Sequence, residues 1–221
     1  MGELLRRRAL MLPGSGELPD WDYEWDTTPK LSEDGWTKTV SSTGSPTEGY
    51  SSGGYYYLRT NGASSAYICL TRPGVYSKST IYVNYRIGSS AMYFDVCLSD
   101  GTTGIDIRSA YMSSAASNTG IFLSDADHTV NTTGMQKLRS FTRDKTFKLI
   151  IELDNGYADV YSRNSTDGED WQQLLTHYDC SAFTGIHTQT LLCATSRYTS
   201  TQTTYVYNVN MRLGRSGNPL I

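Results

Sequence analysis

The sequence predicts an all-β, antiparallel sandwich preceded by a short helical arm. Three observations carry that expectation. Serine (26), threonine (27), tyrosine (17) and glycine (20) make up 90 of the 221 residues, whereas glutamate and lysine number only 7 and 6. Helical bundles and coiled coils lean on Ala, Glu, Lys and Leu, while this balance suits short strands joined by Gly, Ser, Asn and Asp turns. Apolar residues also recur at every second position, most clearly in Phe147/Leu149/Ile151/Leu153 and in Tyr205/Tyr207/Val209/Met211/Leu213. Finally, Asn155-Gly156 supplies two residues that tolerate positive φ, as a type I′ hairpin turn requires. With 38% hydrophobic and 12% aromatic residues the chain is too apolar to stay unfolded. Its length is enough for one sandwich with a sizeable core.

Residues 3–12 fit about three turns of helix, with Leu4, Leu5, Ala9, Met11 and Leu12 on one side and Arg8 intruding. Pro13-Gly14-Ser15-Gly16 ends this segment and forms a hinge. So short an apolar stripe is unstable alone. The arm, residues 1–16, is therefore expected to dock on its own domain or on a neighbouring chain, and the flexible hinge favours the neighbour, with a homo-oligomer as one outcome. Residues 17–221 are left for the sandwich. Asp20-Trp21-Asp22-Tyr23-Glu24-Trp25-Asp26 alternates acids with aromatics and reads as an edge strand with packed rings and solvated carboxylates. Further strands are expected at 36–42, 54–60, 65–71, 78–87, 91–99, 103–109, 119–124, 145–154, 156–163, 170–176, 188–197 and 203–213. Residues 110–120 read as a long loop.

Two hairpins can be taken to register, because a slip by one residue would invert their faces. Placing Ile81, Val83, Tyr85 and Ile87 inside together with Met92, Phe94, Val96 and Leu98 leaves residues 88–91 as the connection. The outer face then gathers Tyr82, Asn84 and Arg86 opposite Cys97, Asp95 and Tyr93. Around Asn155-Gly156, Leu153 meets Ala158 and Ile151 meets Val160, which sets Glu152 directly opposite Asp159 on the outer face. Like charges in that position destabilise a sheet. The pair could bind a cation, share a proton, or be relieved by a neighbouring Arg or Lys.

The net charge of −3 offers no basic footprint for nucleic acid and no attraction to an anionic membrane. No apolar run approaches the roughly 20 residues that span a bilayer. Ala9-Leu10-Met11-Leu12 is cut off by Pro13-Gly14, too short for a secretory signal, so synthesis in the cytoplasm without a signal peptide is expected. Cys69, Cys97, Cys180 and Cys193 include no Cys-x-x-Cys pair and give no zinc site. They are expected as reduced, buried thiols, with a Cys180–Cys193 bridge as the alternative. Gly49-Tyr50-Ser51-Ser52-Gly53 has the spacing of a nucleophile elbow but is followed by a strand, so it reads as a turn. His128, His177 and His187 show no metal spacing, and no phosphate-binding loop is present.

The segment Thr146-Phe-Lys-Leu-Ile-Ile-Glu-Leu-Asp-Asn-Gly-Tyr-Ala-Asp-Val-Tyr161, the closing strand 204–213 and the strand-rich stretch 78–99 resemble concanavalin A-like lectin/glucanase domains of the laminin-G-like group. The similarity covers about residues 36–213 and implies a jelly-roll sandwich that binds carbohydrate. Glucanases of that superfamily carry Glu-x-Asp closely followed by Glu; here Glu24-Trp25-Asp26 is followed by Thr27-Thr28-Pro29, so the final acid is missing. Loops of laminin-G-like domains hold calcium, and Asp125-Ala126-Asp127 offers such oxygens, a weak signal beside the expectation of no cofactor. Arg6-Arg7-Arg8-Ala9-Leu10-Met11, Trp21–Asp26 and Gly35-Trp36 are similar to uncharacterised phage and prophage proteins of Firmicutes, which implies a virion role.

These readings converge on a non-catalytic binding or structural module that recognises surface glycans. Its expected ligand-binding residues are Tyr82, Asn84, Arg86, Tyr93 and Asp95, because sugar rings lie on tyrosine while Asn, Asp and Arg bond the hydroxyls. Tyr55, Tyr57 and Trp171 are further candidates of undetermined facing, and Tyr205 and Tyr207 are assigned to the core. The alternative is a glycoside hydrolase or polysaccharide lyase using Glu152 and Asp159. A third reading is an architectural protein without a ligand.

Overall fold

The computed structural model describes residues 21–61, 63–89, 91–113, 116–124, 135–181, 188–197 and 199–214. The helical arm and Asp125/Asp127 lie outside the described residues. Within them the alternating segments become strands with one face turned inward, and Gly, Asn and Asp supply the turns between. The first seven strands are β1 (Tyr23–Trp25), β2 (Thr37–Val40), β3 (Thr47–Tyr50), β4 (Tyr56–Thr60), β5 (Tyr67–Pro73), β6 (Lys78–Ile87) and β7 (Ala91–Asp100). Four more follow: β8 (Gly104–Met112), β9 (Gly120–Ser124), β10 (Gln136–Arg139) and β11 (Phe147–Asp154). The last are β12 (Tyr157–Asn164), β13 (Gln172–Asp179), β14 (Thr188–Ser196) and β15 (Gln202–Leu213).

Two antiparallel sheets result. Sheet I runs β13-β12-β11-β6-β15-β4-β3, with β1 paired to the last third of β15. Sheet II runs β10-β9-β8-β7-β14-β5-β2. The inward faces share one core, in which Ile81, Val83, Tyr85 and Ile87 of sheet I meet Met92, Phe94, Val96 and Leu98 of sheet II. The Tyr85 ring lies 4.9 Å from that of Phe94 in a tilted contact, and its hydroxyl satisfies its burial by bonding Ser109 of β8 across the sandwich. At one edge Lys38 of β2 pairs with Glu48 of β3 at 3.0 Å, tying the sheets together.

The β11–β12 hairpin has the expected register, with Glu152 opposite Asp159, and Asn155 and Gly156 at φ of 50° and 87°. Its neighbour in the expectation does not exist as a hairpin. β6 pairs with β11 and β15, whereas β7 pairs with β8 and β14, so the two strands lie in different sheets. Their inward residues are as expected, because alternation alone serves either arrangement. A short connection can cross the open edge of a sandwich as readily as it can turn back.

Three smaller corrections follow. The expected loop 110–120 is mostly structured: β8 continues to Met112 because Ala110 and Met112 pack with Ala91, Tyr93 and Phe122. β3 and β10, short and mostly polar, carried no periodic signal. Cys69 and Cys193 stand directly opposite on β5 and β14 and form a disulfide, while Cys97 and Cys180 are buried free thiols. Neither the all-reduced set nor a Cys180–Cys193 bridge is therefore found, because strand pairing brings Cys193 to Cys69.

Candidate functional site

The five expected ligand residues separate into two groups. β6 presents Tyr82, Asn84 and Arg86 on the outer face of sheet I, and β7 presents Tyr93 and Asp95 on the outer face of sheet II, with the core between. The single surface expected from a β6–β7 hairpin is not formed. Tyr93 and Asp95 are also fully buried, and Tyr82 is 7% exposed; Asn84 and Arg86 are half-buried.

On sheet I the register lines outward side chains into rows across the strands. Arg163 of β12, Lys148 of β11, Asn84 of β6 and Asn208 of β15 form one row. Asn84 Nδ2 donates to Asn208 Oδ1 at 3.3 Å, and the Arg163 guanidinium stands over the Trp171 ring at 5.1 Å. The adjoining row holds Arg86 of β6, Tyr205 of β15 and Tyr57 of β4. Arg86 lies 4.6 Å over Tyr205, and Arg59 lies 4.1 Å over Tyr57. Glycines make room for these rings: a Cβ at Gly88 would stand 2.7 Å from the Tyr205 ring, and one at Gly49 3.0 Å from the Tyr57 hydroxyl. Guanidinium groups over rings are held there by cation–π attraction and carry hydrogen-bond donors only.

Beside this row Tyr207 meets Tyr55 edge-on at 5.5 Å, and Tyr55 is 48% exposed. Tyr205 and Tyr207 correct the expectation that both belong to the core. A bulge between Val206 and Asn208 adds a residue to β15, so Val206 and Val209 both face inward while Tyr205, Tyr207 and Asn208 face out. The signal was present: two valines three apart cannot share one face of an unbroken strand. Tyr57 and Trp171, whose facing alternation left open, belong to this outer surface.

Farther along the same strands stands the acidic pair. Glu152 is flanked by Asp159 of β12 and Thr80 of β6, and Arg212 of β15 follows Thr80 in the row. Asp159 Oδ1 accepts from Gln173 Nε2 and from the His177 backbone N–H, both at 3.0 Å. Glu152 Oε1 is buried without a hydrogen-bond partner. Burial, then the charges of Asp159 and Asp154, push the Glu152 carboxyl up to about 7, with Arg212 pulling the other way.

The outer face of sheet II has a different character. Arg108 of β8 faces Asp95 of β7, donating from Nε at 2.6 Å and from Nη2 at 3.2 Å, and both side chains are 0% exposed. Asp106 stands opposite Cys97 on the same face. Burial alone would lower the Arg108 pKa, but Asp95 and then Asp106 more than offset it and raise it. Burial, then the same two acids, push the Cys97 thiol well up, which keeps it protonated and unreactive. Among the described residues no three His, Cys, Asp or Glu side chains converge on a point that could hold a metal.

This architecture is a jelly-roll β-sandwich, a fold shared with known lectins. Peanut lectin bound to a nine-residue peptide superposes with a TM-score of 0.57 at 9% identity, over 86% of this chain and 95% of that one. The exoplasmic/lumenal domain of VIP36, bound to Ca2+ and Man3GlcNAc, gives 0.51 at 10% identity, over 86% and 88%. A sialidase gives 0.54 at 9% identity, over 89% of this chain but 19% of that one. Identities this low establish a shared fold. No protein-family model and no curated protein matches the chain.

Proposed function

We propose that the protein is a non-catalytic glycan-binding module whose site is the outer face of sheet I. The observation that carries this reading is the open aromatic step formed by Tyr55 and Tyr207, with Arg86, Asn84 and Asn208 beside it. Sugar rings present apolar C–H faces that lie on tyrosine, and the neighbouring amides and guanidinium reach the hydroxyls. The likeness to carbohydrate-binding lectins supports the reading at the level of fold. Of the residues first expected, Asn84 and Arg86 are kept, and Tyr55 and Tyr207 replace the buried Tyr82 and Tyr93. A glycan array probed with wild type and with the Tyr55→Ala/Tyr207→Ala double variant tests it. Loss of at least tenfold in affinity, at unchanged thermal stability, is expected; equal binding by both proteins would reject this site.

The resemblance of the N-terminal segments to phage and prophage proteins extends the proposal to a virion-associated role, with residues 1–16 joining neighbouring chains. Light scattering on a chain lacking residues 1–16 should then show a smaller assembly, and an unchanged mass would count against it.

One observation favours a second reading. Glu152, with its raised pKa, faces a second carboxylate across one strand pair, as a glycoside hydrolase would need for an acid and its partner. Hydrolysis of chromogenic glycosides that disappears in Glu152→Gln would establish it, and absence of turnover in wild type would remove it.

A further inference from the structure

We infer that the glycan taken by this face is anionic, a polysaccharide bearing carboxylate or sulfate groups, and that Lys148, Arg163 and Arg86 bind its charges. The inference rests on the glycan-binding reading and narrows it to a ligand class. The β11–β12 register places Lys148 directly opposite Arg163 on the outer face of sheet I. Two cations so placed repel each other, an arrangement a sheet avoids unless something negative lies between or above them. Lys148, Arg163 and Arg86 take part in none of the ion pairs among the described residues. The acids on the adjoining loops are mostly committed elsewhere: Asp144 to Arg143 at 2.9 Å, Asp167 to Lys145 at 2.6 Å and Glu169 to Arg139 at 2.6 Å. Asp170, exposed ahead of β13, leaves the three cations in excess.

A second observation is independent of charge. Nε of Arg86 and Nε of Arg163 are buried and have no hydrogen-bond partner. Buried polar atoms left unmatched are uncommon, and each such group calls for a partner. Lys148, Arg163 and Arg86 can only donate, since ammonium and guanidinium have no acceptor. A neutral sugar hydroxyl both donates and accepts. A carboxylate or sulfate only accepts, and it gains charge-assisted bonds from such donors. The row crosses from β12 to β15 and continues to Trp171 beyond Arg163, a span of roughly 19 Å at about 4.8 Å per strand step. That is long enough for several sugar residues of an extended chain. Glu152 and Asp159 lie four residues farther along β11 and β12, about 13 Å away. A polyanion would be turned away from that end and held along the cationic row.

The test measures binding of the whole chain to a uronate polysaccharide, a sulfated dextran, neutral dextran and single-stranded DNA, in about 50 mM and about 0.5 M salt. The comparison is with Lys148→Gln/Arg163→Gln and with Tyr55→Ala/Tyr207→Ala. Either acidic polysaccharide should bind at least tenfold more tightly than neutral dextran at low salt, and this preference should collapse at high salt. The charge variant should lose the preference while keeping its binding to neutral sugar and its stability, since it removes a repulsion. Which of the two polymers binds more tightly separates carboxylate from sulfate recognition. Neutral and acidic glycans bound alike, with no effect of the charge variant, would overturn the anionic inference and leave the glycan reading standing. DNA bound as tightly as the acidic polysaccharides would also overturn it, as a response to polyanions in general. Failure of every polysaccharide to bind would overturn both.

Discussion

Replacing Glu152 by Gln removes one charge from a pair that strand register forces together. In the folded chain burial, Asp159 and Asp154 push this carboxyl from its ordinary 4.5 to about 7. A group raised in this way takes up a proton on folding wherever the pH lies between the two values. Its contribution is therefore most favourable below the lower value, declines as pH rises through the interval, and levels off above the upper one. At about 1.4 kcal/mol for each tenfold change in proton affinity, the interval would amount to roughly 3 kcal/mol. Glu152 keeps solvent contact, and screening reduces the expected effect to about 1 kcal/mol. Gln is neutral at every pH and close in shape to protonated Glu. Urea unfolding should thus find the variant equal to wild type near about pH 4.5 and about 1 kcal/mol more stable near about pH 8. An equal difference at both pH values would show that Glu152 does not titrate in this interval. A variant less stable at the higher pH would show that Arg212, which follows Thr80 in the same row, already neutralises Glu152.

Two further outcomes concern sheet II. Asp95→Asn takes the charge from the bidentate pair that holds the buried Arg108 and should cost about 3 kcal/mol in denaturant unfolding; a near-neutral Asp95→Asn would refute the assigned importance of the pair. Reducing Cys69–Cys193, or replacing both by Ala, releases a link across 124 residues of chain. By the chain-entropy relation this should cost about 5 kcal/mol, read as a shift in urea midpoint with and without reductant; coincident midpoints would refute it.

Much of the architecture is legible in the sequence. The Asn155-Gly156 turn sets the β11–β12 register, including the Glu152–Asp159 opposition. Trp25 packs in the core and Asp22, Glu24 and Asp26 are exposed, as the acid–aromatic alternation of an edge strand implied. The candidate site was less legible. Its β6 members were found, but Tyr205 and Tyr207 were hidden by a bulge that shifts the phase of β15 by one residue.

The division has a physical cause. Which way a side chain points follows from the two-residue repeat of the extended backbone, a local property that the order of apolar and polar residues records directly. Tyr85 and Phe94 were thus assigned inward correctly, and each is fully buried. Which strand lies beside which is a long-range choice, made by the summed packing of whole faces and by where connections cross the edge of the sandwich. β6 and β7 show the difference: their faces were right and their pairing was not, since β11 and β15 took the two sides of β6. That one choice sends Tyr93 and Asp95 into a buried network with Arg108. It leaves Asn84 and Arg86 half-buried on the outer face of sheet I, on the same side as Lys148 and Arg163.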